Sequence, residues 1–321
     1  MQTATIVEQL EEEGYTVVGG LLDPQEDLQP LIDDYSAVLD ELAERWYAEG
    51  VLTETHRGLP FGRRLVKIIQ ESGRPYSQYL DISLPLSHVT EETPIHLGEA
   101  VFNLLRNPHL LDAVEMIVGP EIYSNPIQHV RIKPPEHVLA TGQQEGLLVS
   151  TPWHQDQGVA LPEADDTKML TVWVAVTDAT VENGCLCVIP GSHRSDLVTH
   201  CPGKGAAKGL QIPDELLEDN VVPVPMRRGS ALFLHRRTKH ASLSNVSDDI
   251  RWSFDLRYQP IGQPTGRPMF PGFIARSRQN PESVLSDWRT WADLWRQARA
   301  RLADEQVSAF HRWTGLEPVC A

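Results

Sequence analysis

The sequence predicts a mainly β protein whose core is a sandwich, a barrel or a jelly roll, flanked by helices. Short β-rich runs, separated by proline and glycine, follow one another between about residues 121 and 260. Successive short strands without intervening helices are typical of such antiparallel folds. Amphipathic helical patterns lie before and after this region, so we expect helices on the outside of the sheets.

The region before residue 121 predicts mostly helix. In chain order we expect a helix over 4–13 ended by Gly14, a strand over 15–22, a helix from Asp23–Pro24 to about Ala48, and one helix over 98–118. Asp23 and Pro24 have the residue types of an N-cap and a first helical turn. The helices rest on apolar positions three and four residues apart.

The β core and the last helix follow. Strand-like runs lie at 121–133, 168–178, 185–189, 221–224, 230–234 and 250–259. Asn280–Pro281 predicts another helix start, after which tryptophans recur at helical spacing and are expected to pack in the core. We therefore expect a single domain over 1–321, with a helical buttress over about 1–120, a β core over about 121–260 and a helical extension over about 280–313.

The charge and cysteine content restrict the partners and the compartment. The chain has 28 basic and 44 acidic side chains and a formal net charge of −16. A field of that sign repels nucleic acid and anionic membranes, so we expect neither as a partner. The four cysteines show no disulfide framework and no C-x-x-C. Together with the lack of a signal-peptide pattern, this predicts reduced thiols and a cytoplasmic protein.

An H-x-D pattern at His154 and Asp156 is a candidate metal site. Residues two apart on an extended strand point to the same side, so the imidazole and the carboxylate would face one cavity. One more histidine would complete the two-histidine, one-carboxylate triad that suits Fe(II) and leaves coordination positions open. Because the chain has twelve histidines, the pattern alone is weak, and a structural hydrogen-bonded pair is the competing interpretation.

A second segment supplies the missing groups. His240 ends one strand-like run, a turn-rich stretch follows, and Arg251 opens the next run. On adjacent antiparallel strands, His240 and Arg251 would share a cavity. A guanidinium can bind a carboxylate through two parallel hydrogen bonds. The combination suits a cosubstrate that chelates a metal at one end and carries a carboxylate at the other, as 2-oxoglutarate does.

These motifs resemble those of the phytanoyl-CoA dioxygenase-like family of Fe(II)- and 2-oxoglutarate-dependent oxygenases. The resemblance rests on W-H-Q-D at 153–156, V-W-V-A-V-T-D-A-T-V-E-N-G-C-L-C-V-I-P-G-S-H-R at 172–194, and H-x-S…N-x-S…R at 240–251. It covers most of residues 5–260. It implies a double-stranded β-helix, the cupin-like form of the jelly roll, and the use of Fe(II), 2-oxoglutarate and O2.

The family's functional positions carry over residue by residue. The implied metal ligands are His154, Asp156 and His240. The implied cosubstrate contacts are Arg251, Ser242, Trp173 and His129. His235 competes with His240 as third ligand, but the spacing of the H-x-S…N-x-S…R motif counts from His240. The irregular stretch 134–150, directly before the metal motif, is predicted to be a lid beside the metal.

The implied reaction is hydroxylation of a small-molecule C–H bond with release of succinate and CO2. Desaturation, ring closure, epoxidation and endoperoxidation stay open, as does the choice between an acyl-CoA and a free small metabolite. A hint of a basic mouth for a phosphorylated group comes from Lys204, Lys208, Arg227 and Arg228. The alternative from another class is a non-catalytic jelly-roll protein that retains the metal motif.

Three further polar groups allow two interpretations each. Arg257 either reaches a substrate anion or pairs with an acidic neighbour. His193, in a Pro-Gly-Ser-His turn, is expected to bond backbone rather than metal. Cys185 and Cys187 form a C-x-C without a second pair, which favours buried thiols over a zinc site.

Overall fold

The computed structural model describes residues 3–139, 148–203, 209–305 and 312–320. The helices are α1 (Thr3–Glu13), α2 (Gln29–Ala48), α3 (Phe61–Ser72), α4 (Ser77–Leu80), α5 (Glu99–Leu105), α6 (Pro108–Val118), α7 (Asp156–Val159) and α8 (Trp288–Glu305). The strands are β1 (Tyr15–Val18), β2 (Glu121–Lys133), β3 (Leu170–Ala175), β4 (Leu186–Val188), β5 (Cys201–Pro202), β6 (Leu210–Gln211), β7 (Val222–Val224), β8 (Ala231–His235), β9 (His240–Ser242), β10 (Arg251–Pro260) and β11 (Phe273–Ser277).

The core is built from antiparallel sheets. A six-stranded sheet has the order β1-β8-β3-β10-β2-β11, a three-stranded sheet the order β7-β4-β9, and β5 pairs with β6. The predicted mainly β core with flanking helices is confirmed. Strands β1 and β11 come from outside residues 121–260 and form the two edges of the large sheet. The double-stranded β-helix itself stays a prediction.

The large sheet turns one face to the helices and the other to the small sheet. Along β10, Trp252, Phe254 and Leu256 belong to the main apolar core with α2, α5 and α8, whereas Trp173 of β3 packs with residues of β4, β7 and β8 in a second cluster. Alternation along a strand sends Arg251 and Ser253 to the face that Trp173 occupies. Polar groups of several strands therefore meet between the two sheets.

The predicted single helix over 98–118 is wrong. It consists of α5 and α6, with a break at Asn107–Pro108. Pro108 has no backbone N–H to continue the first helix. The Asn107 side chain instead accepts hydrogen bonds from the N–H groups of His109 and Leu110, at 3.0 and 3.2 Å, and so caps α6.

The predicted start of the last helix at Asn280–Pro281 is also wrong. That dipeptide opens a single 3-10 turn, and α8 begins at Trp288, after Asp287 accepts a hydrogen bond from the Arg289 N–H. The tryptophan spacing was interpreted correctly, because Trp291 and Trp295 are buried. Helices α3 and α4 were not predicted. Helix α3 starts directly after Pro60 without a side-chain cap, so it lacks the usual sequence marker of a helix start.

The expectation that all four cysteines are reduced thiols is wrong for one pair. Cys201 and Cys320 form a disulfide across 119 residues. Cys185 and Cys187 are free and buried, as predicted. These two cysteines are distant in sequence and meet only through the tertiary fold, so their spacing could not predict this bond.

In the described ranges, no helix combines the length and apolar character needed to cross a membrane.

Candidate metal and cosubstrate site

Two short backbone segments hold the predicted histidine ligands face to face. His154 and His240 form an antiparallel pair in which each N–H donates to the other's carbonyl oxygen at 3.0 Å. Strand β9 starts at His240 and is held on its other side by β4. Asp156 follows two residues after His154, at the first position of α7. The fold thus brings together the side chains of His154 and Asp156, which are two residues apart, and that of His240, which is distant in sequence.

The three side chains converge. Candidate ligand atoms of His154, Asp156 and His240 lie within 4.8 Å of one another, and all three residues are buried. Each imidazole Nε2 is 3.8 Å from an Asp156 oxygen, and the two rings are 4.1 Å apart between centroids. One carboxylate and two imidazoles at this spacing fit a first-row metal such as Fe(II) with open coordination positions. Their role as ligands remains a prediction.

The hydrogen bonds of the histidines orient them for a metal. Nδ1 of His154 donates to the Pro152 carbonyl at 2.9 Å, and Nδ1 of His240 donates to the Thr238 carbonyl at 3.0 Å. A carbonyl only accepts, so these bonds fix the tautomer and leave both Nε2 lone pairs facing the centre. Burial lowers the pKa of His154 to about 3, and the nearby His240 adds to the effect, so the ring is neutral as a ligand must be.

Asp156 is kept ionised by its neighbours. Burial alone would raise its pKa, but the Arg257 guanidinium and the two histidines outweigh it and hold the pKa below the ordinary range. Arg257 donates to Oδ1 and Thr171 donates to Oδ2. Arg257 also donates to the Ile127 carbonyl at 2.9 Å. Of the two interpretations of Arg257, the ion pair with an acidic neighbour is therefore the observed one.

Arg251 is a buried cation with unused hydrogen-bonding capacity. It is 0% exposed, and its Nη1 donates to the Ser253 hydroxyl at 2.7 Å. Within the described part of the chain, its Nε and Nη2 have no hydrogen-bond partner. The guanidinium lies over the Trp173 ring, 5.2 Å from the centroid. Burial lowers the pKa of Arg251 to about 10, so the group stays charged at neutral pH.

A second buried cation at the site, Lys133, was not among the predicted contact residues. It lies directly opposite Arg251 in the β2–β10 pair and is 1% exposed. Its ammonium donates to the hydroxyls of Ser242 and Thr151. Burial and the adjacent Arg251 and Arg131 lower its pKa. The predicted contact residue Ser242 thus bonds Lys133 and the Thr151 N–H, and the strand register that reveals this could not be derived from the sequence.

His129 lies on the same strand face, two register steps from Lys133. It lies opposite Asp255 in the register of β2 and β10, and its Nδ1 donates to the Asp81 carboxylate at 2.9 Å. Its side chain is 31% exposed, more than those of the other predicted contacts. Asp255 in turn pairs with Arg131. The structure therefore places His129 on the rim of the polar row and not beside Arg251.

The competing histidines lie elsewhere. His235 ends β8 with its ring 5.3 Å from that of His193, in a surface cavity also lined by Leu10 and Met169. His193 donates from Nε2 to the Glu11 carbonyl at 3.0 Å, as predicted for a turn histidine. The centre of the predicted lid, residues 140–147, and the basic residues Lys204 and Lys208 lie outside the described residues.

The sequence matches known proteins over most of its length. The family described as phytanoyl-CoA dioxygenase (PhyH) matches residues 10–253. Phytanoyl-CoA dioxygenase domain-containing protein 1 of Rattus norvegicus is 36% identical over 92 residues, 27% of this chain and 32% of that protein. L-Proline trans-4-hydroxylase of Streptomyces griseoviridis is 25% identical over 200 residues, 57% of this chain and 71% of that protein. The chain thus spans about a third of the length of the rat relative.

Solved structures share the fold at low identity. The non-heme monooxygenase ThoJ has a TM-score of 0.56 at 19% identity and covers 94% of this chain and 100% of its own. EvdO2 of Micromonospora carbonacea var. aurantiaca, solved with 2-oxoglutarate, has a TM-score of 0.50 at 22% identity and covers 82% and 95%. The epimerase SnoN, solved with Fe3+ and alpha ketoglutarate, has a TM-score of 0.50 at 22% identity and covers 82% and 87%.

Proposed function

Because the chain belongs to the phytanoyl-CoA dioxygenase family, we propose that it is an Fe(II)- and 2-oxoglutarate-dependent dioxygenase that hydroxylates a C–H bond of a small molecule. The triad of His154, Asp156 and His240 would hold the iron. With 2-oxoglutarate and O2 bound, the iron supplies an oxidant strong enough to attack a C–H bond, with succinate and CO2 as coproducts. The protein's own residues bind, orient and desolvate the reactants.

The observation that carries this proposal is the state of Arg251. A fully buried guanidinium with two nitrogens lacking partners among the described residues is costly unless an anion completes it. The far carboxylate of 2-oxoglutarate is such an anion, and the fork of a guanidinium matches its geometry. Trp173 would cover one side of this contact, and Ser253 would hold the guanidinium in plane from the other side.

The residues around Asp156 support an oxidative role for the metal. Arg257 and Thr171 each donate to one carboxylate oxygen, so the ligand stays ionised and fixed in direction. Because both oxygens accept a hydrogen bond, the orientation of the carboxylate towards the two histidines is fixed. Since Asp156 also supplies the anionic ligand, the site has the complete donor set of a two-histidine, one-carboxylate iron centre.

The prime substrate is proposed to be a small polar molecule. On the cavity-facing row of β2 and β10, Arg131 pairs with Asp255, whose Oδ1 has no hydrogen-bond partner in the ranges that the structure covers. His129 offers Nε2 beside them, because Nδ1 is taken by Asp81. These groups would accept and donate hydrogen bonds to hydroxyl, amino or carboxyl groups. The similarity to L-proline trans-4-hydroxylase agrees with a free metabolite as the substrate.

We propose the cytoplasm as the compartment of the protein.

The reaction type is the least constrained part of the proposal. Among proteins of the same fold, SnoN is an epimerase and ThoJ a monooxygenase. Hydroxylation is proposed as the default outcome, since it would require of the protein only that it hold the substrate C–H bond close to the metal. A non-catalytic jelly-roll protein that retains the metal motif would have no use for the two Arg251 nitrogens that lack partners among the described residues, which makes that alternative the weaker one.

Conversion of 2-oxoglutarate to succinate tests the function directly. The purified protein with Fe(II), O2 and 2-oxoglutarate should form succinate, and Asp156→Ala should lower the rate at least about 100-fold because the metal ligand is lost. Candidate metabolites and acyl-CoAs can then be ranked by how far each raises succinate formation above the uncoupled rate. Absence of O2-dependent succinate formation by folded, iron-loaded protein with every candidate would contradict the proposal.

A further inference from the structure

The turn that carries two of the metal ligands depends on another part of the chain for its hydrogen bonds. Between Trp153 and Ala160, backbone groups on both sides of Asp156 bond to two distant parts of the chain, residues 200–203 with 209–212, and residues 312–320. We refer to Arg312–Cys320 as the strap. The strap, His200 and Ile212 together make one continuous support beneath the proposed metal ligands.

His200 and Ile212 support the turn on the His154 side. The Gln155 N–H donates to Nε2 of His200 at 2.8 Å, and the Ile212 N–H donates to the Trp153 carbonyl at 2.7 Å. Nδ1 of His200 donates to the Val198 carbonyl at 2.9 Å, which leaves Nε2 as the acceptor that Gln155 needs. His200 is 0% exposed, so this acceptor cannot be replaced by bulk water.

The Gln155 side chain also binds the chain next to His200. Its amide group donates to the Arg237 carbonyl at 2.8 Å, and its oxygen accepts from the Val198 N–H at 2.9 Å. The residue between the two ligands is therefore 0% exposed and bonded through both main chain and side chain. A shift of segment 198–200 would be passed directly to His154 and Asp156, which flank it.

The strap supports the turn on the Asp156 side. The Trp313 indole N–H donates to the Gly158 carbonyl at 2.8 Å, and Nε of Arg312 donates to the Ala160 carbonyl at 2.9 Å. The Trp313 ring also stacks on His200, with centroids 5.4 Å apart and planes 18° apart. Gly158 packs so closely on the His200 ring that a Cβ there would lie 2.3 Å from it. Strap, His200 and turn thus form one packed layer.

One covalent bond joins the two supports. The Cys201–Cys320 disulfide links the residue directly after His200 to the last described residue of the strap. Within the described chain, residues 312–320 contain one 3-10 turn, Pro318–Cys320, and belong to no α-helix or strand. The contact between Gly315 and Pro202 lies beside the disulfide, where a Cβ on Gly315 would come 2.9 Å from the Pro202 ring.

We propose that the strap is a positioning element of the metal centre, that the Cys201–Cys320 disulfide fastens it, and that reduction of this disulfide by a dithiol lowers the affinity of the site for its metal. The step transfers two electrons and two protons from the dithiol, which becomes a cyclic disulfide, to the two cysteine sulfurs, which become thiols. After reduction the covalent link to Cys201 is gone, and the strap is held only by its hydrogen bonds and packing contacts. In a compartment that maintains thiols reduced, the site would be in its weaker state.

The inference rests on the proposed metal role of His154, Asp156 and His240, so the test includes a readout that does not need metal. Hydrogen–deuterium exchange of residues 153–160 in the metal-free protein should rise about tenfold after treatment with dithiothreitol and desalting. The dissociation constant for Co(II), a spectroscopic probe of the site, should rise roughly tenfold, as for loss of groups that orient metal ligands. Alkylation of the unfolded, unreduced protein should label two cysteines, Cys185 and Cys187.

Variants separate the strap from general damage. Cys320→Ser should reproduce the reduced state, and dithiothreitol should then change nothing further. Trp313→Phe, which keeps a ring but loses the indole N–H, should weaken Co(II) binding without changing far-UV circular dichroism. Leu316→Ala is the matched control, because this strap side chain is 87% exposed.

The outcomes of these experiments separate failure of the strap inference from failure of the proposed metal function. Four alkylated cysteines, or unchanged exchange of residues 153–160 on reduction, would overturn the strap inference whatever the metal result. Should Cys320→Ser fail to fold, the reduced wild-type protein and Trp313→Phe still give the exchange and affinity readouts. If wild-type protein bound no Co(II) while exchange responded to reduction, the strap would stand and the proposed metal function would fail.

Discussion

At the scale of single residues, the site consists of buried charged side chains and the groups that neutralise or hydrogen-bond them. Asp156 is held by Arg257, and Lys133 by two hydroxyls, whereas Arg251 keeps two nitrogens without partners in the described chain. The H-x-D spacing and the distance from His240 to Arg251 were enough to predict the convergence of the triad. The partners of these residues were not predictable, because Arg257 and Lys133 reach the site through strand register and not through a local motif.

Arg251→Ala should weaken 2-oxoglutarate binding while Fe(II) binding stays nearly intact. Truncating a charge-assisted contact in a buried pocket costs roughly 2–5 kcal/mol, which corresponds to a loss of affinity of about 30-fold to several thousand-fold. Arg251→Lys should restore only part of it, since an ammonium lacks the planar fork. Isothermal titration of the metal-loaded, anaerobic protein measures both.

Arg276→Ala provides the matched control for that measurement. Arg276 of β11 forms ion pairs with Glu115 and Asp112 of α6, at 2.6 and 2.7 Å, so its truncation removes a guanidinium from a cluster that includes none of the triad residues. Its affinity for 2-oxoglutarate should be that of the wild type. A folded Arg251→Ala protein with wild-type affinity would remove both the carboxylate contact and the main support for this cosubstrate.

At the scale of elements, the small sheet β7-β4-β9 determines where His240 lies. Its middle strand β4 follows a tight turn in which Gly184 has a φ of +87°. A Cβ at Gly184 would lie 2.6 Å from the Leu243 carbonyl oxygen, one residue beyond β9. The E-N-G turn was visible in the sequence, but its contact with the strand that carries His240 was not.

Gly184→Ala should therefore affect stability and metal binding together. Backbone strain in the left-handed region costs about 1–2 kcal/mol, and displacement of β9 should add roughly as much and raise the dissociation constant for Co(II). Gly50→Ala is the control, since Gly50 has a φ of +72° with nothing within 4 Å of its added Cβ. Urea unfolding should show only the strain for Gly50→Ala. Equal losses in the two variants, with unchanged Co(II) binding, would exclude the coupling.

The errors in predicting elements have physical causes. Apolar periodicity ran through Asn107–Pro108 without interruption, so the break between α5 and α6 depended on a capping interaction that competes with continued helix. The Asn280–Pro281 dipeptide has the composition of a helix start, yet the chain there makes one turn before α8 forms. Strand predictions succeeded where apolar residues alternate with polar ones, as in β10, or run almost continuously, as in β3.

At the scale of the whole molecule, buried neutral histidines should make the metal-free protein sensitive to mild acid. Burial lowers the pKa of His200 and of His235 to about 4. Each binds a proton more readily in the unfolded chain, where the pKa is about 6.5, so their contribution to stability is complete above that value. It is lost as the pH falls from about 6.5 towards 4.

Urea unfolding at pH 7 and pH 5 measures this effect. The free energy of unfolding should fall by roughly 2 kcal/mol for His200 alone. His200→Asn should lower stability at pH 7 but show a smaller fall between pH 7 and pH 5. A pH dependence identical to that of the wild type would mean that His200 does not titrate in this window.

The disulfide and the strap mark the limit of prediction from the sequence. The family motifs cover most of residues 5–260, and the strap lies beyond them. The contacts of Arg312 and Trp313 with the turn that carries His154 and Asp156 are made to backbone carbonyls. Such contacts impose no residue pattern on the turn itself, so neither the motif nor the spacing of Cys201 and Cys320 predicts them.

The mutual hydrogen bonds of His154 and His240 join main-chain N–H and carbonyl groups and do not involve the two imidazoles. Pairing of these backbone segments therefore helps to offset the conformational entropy lost when two distant parts of the chain come together. The proposed ligands are thus preorganised, and an incoming ion would exchange water for side chains that already lie close together. Loss of the ion should consequently leave the architecture intact and able to reload, in contrast to small domains whose folding depends on their metal.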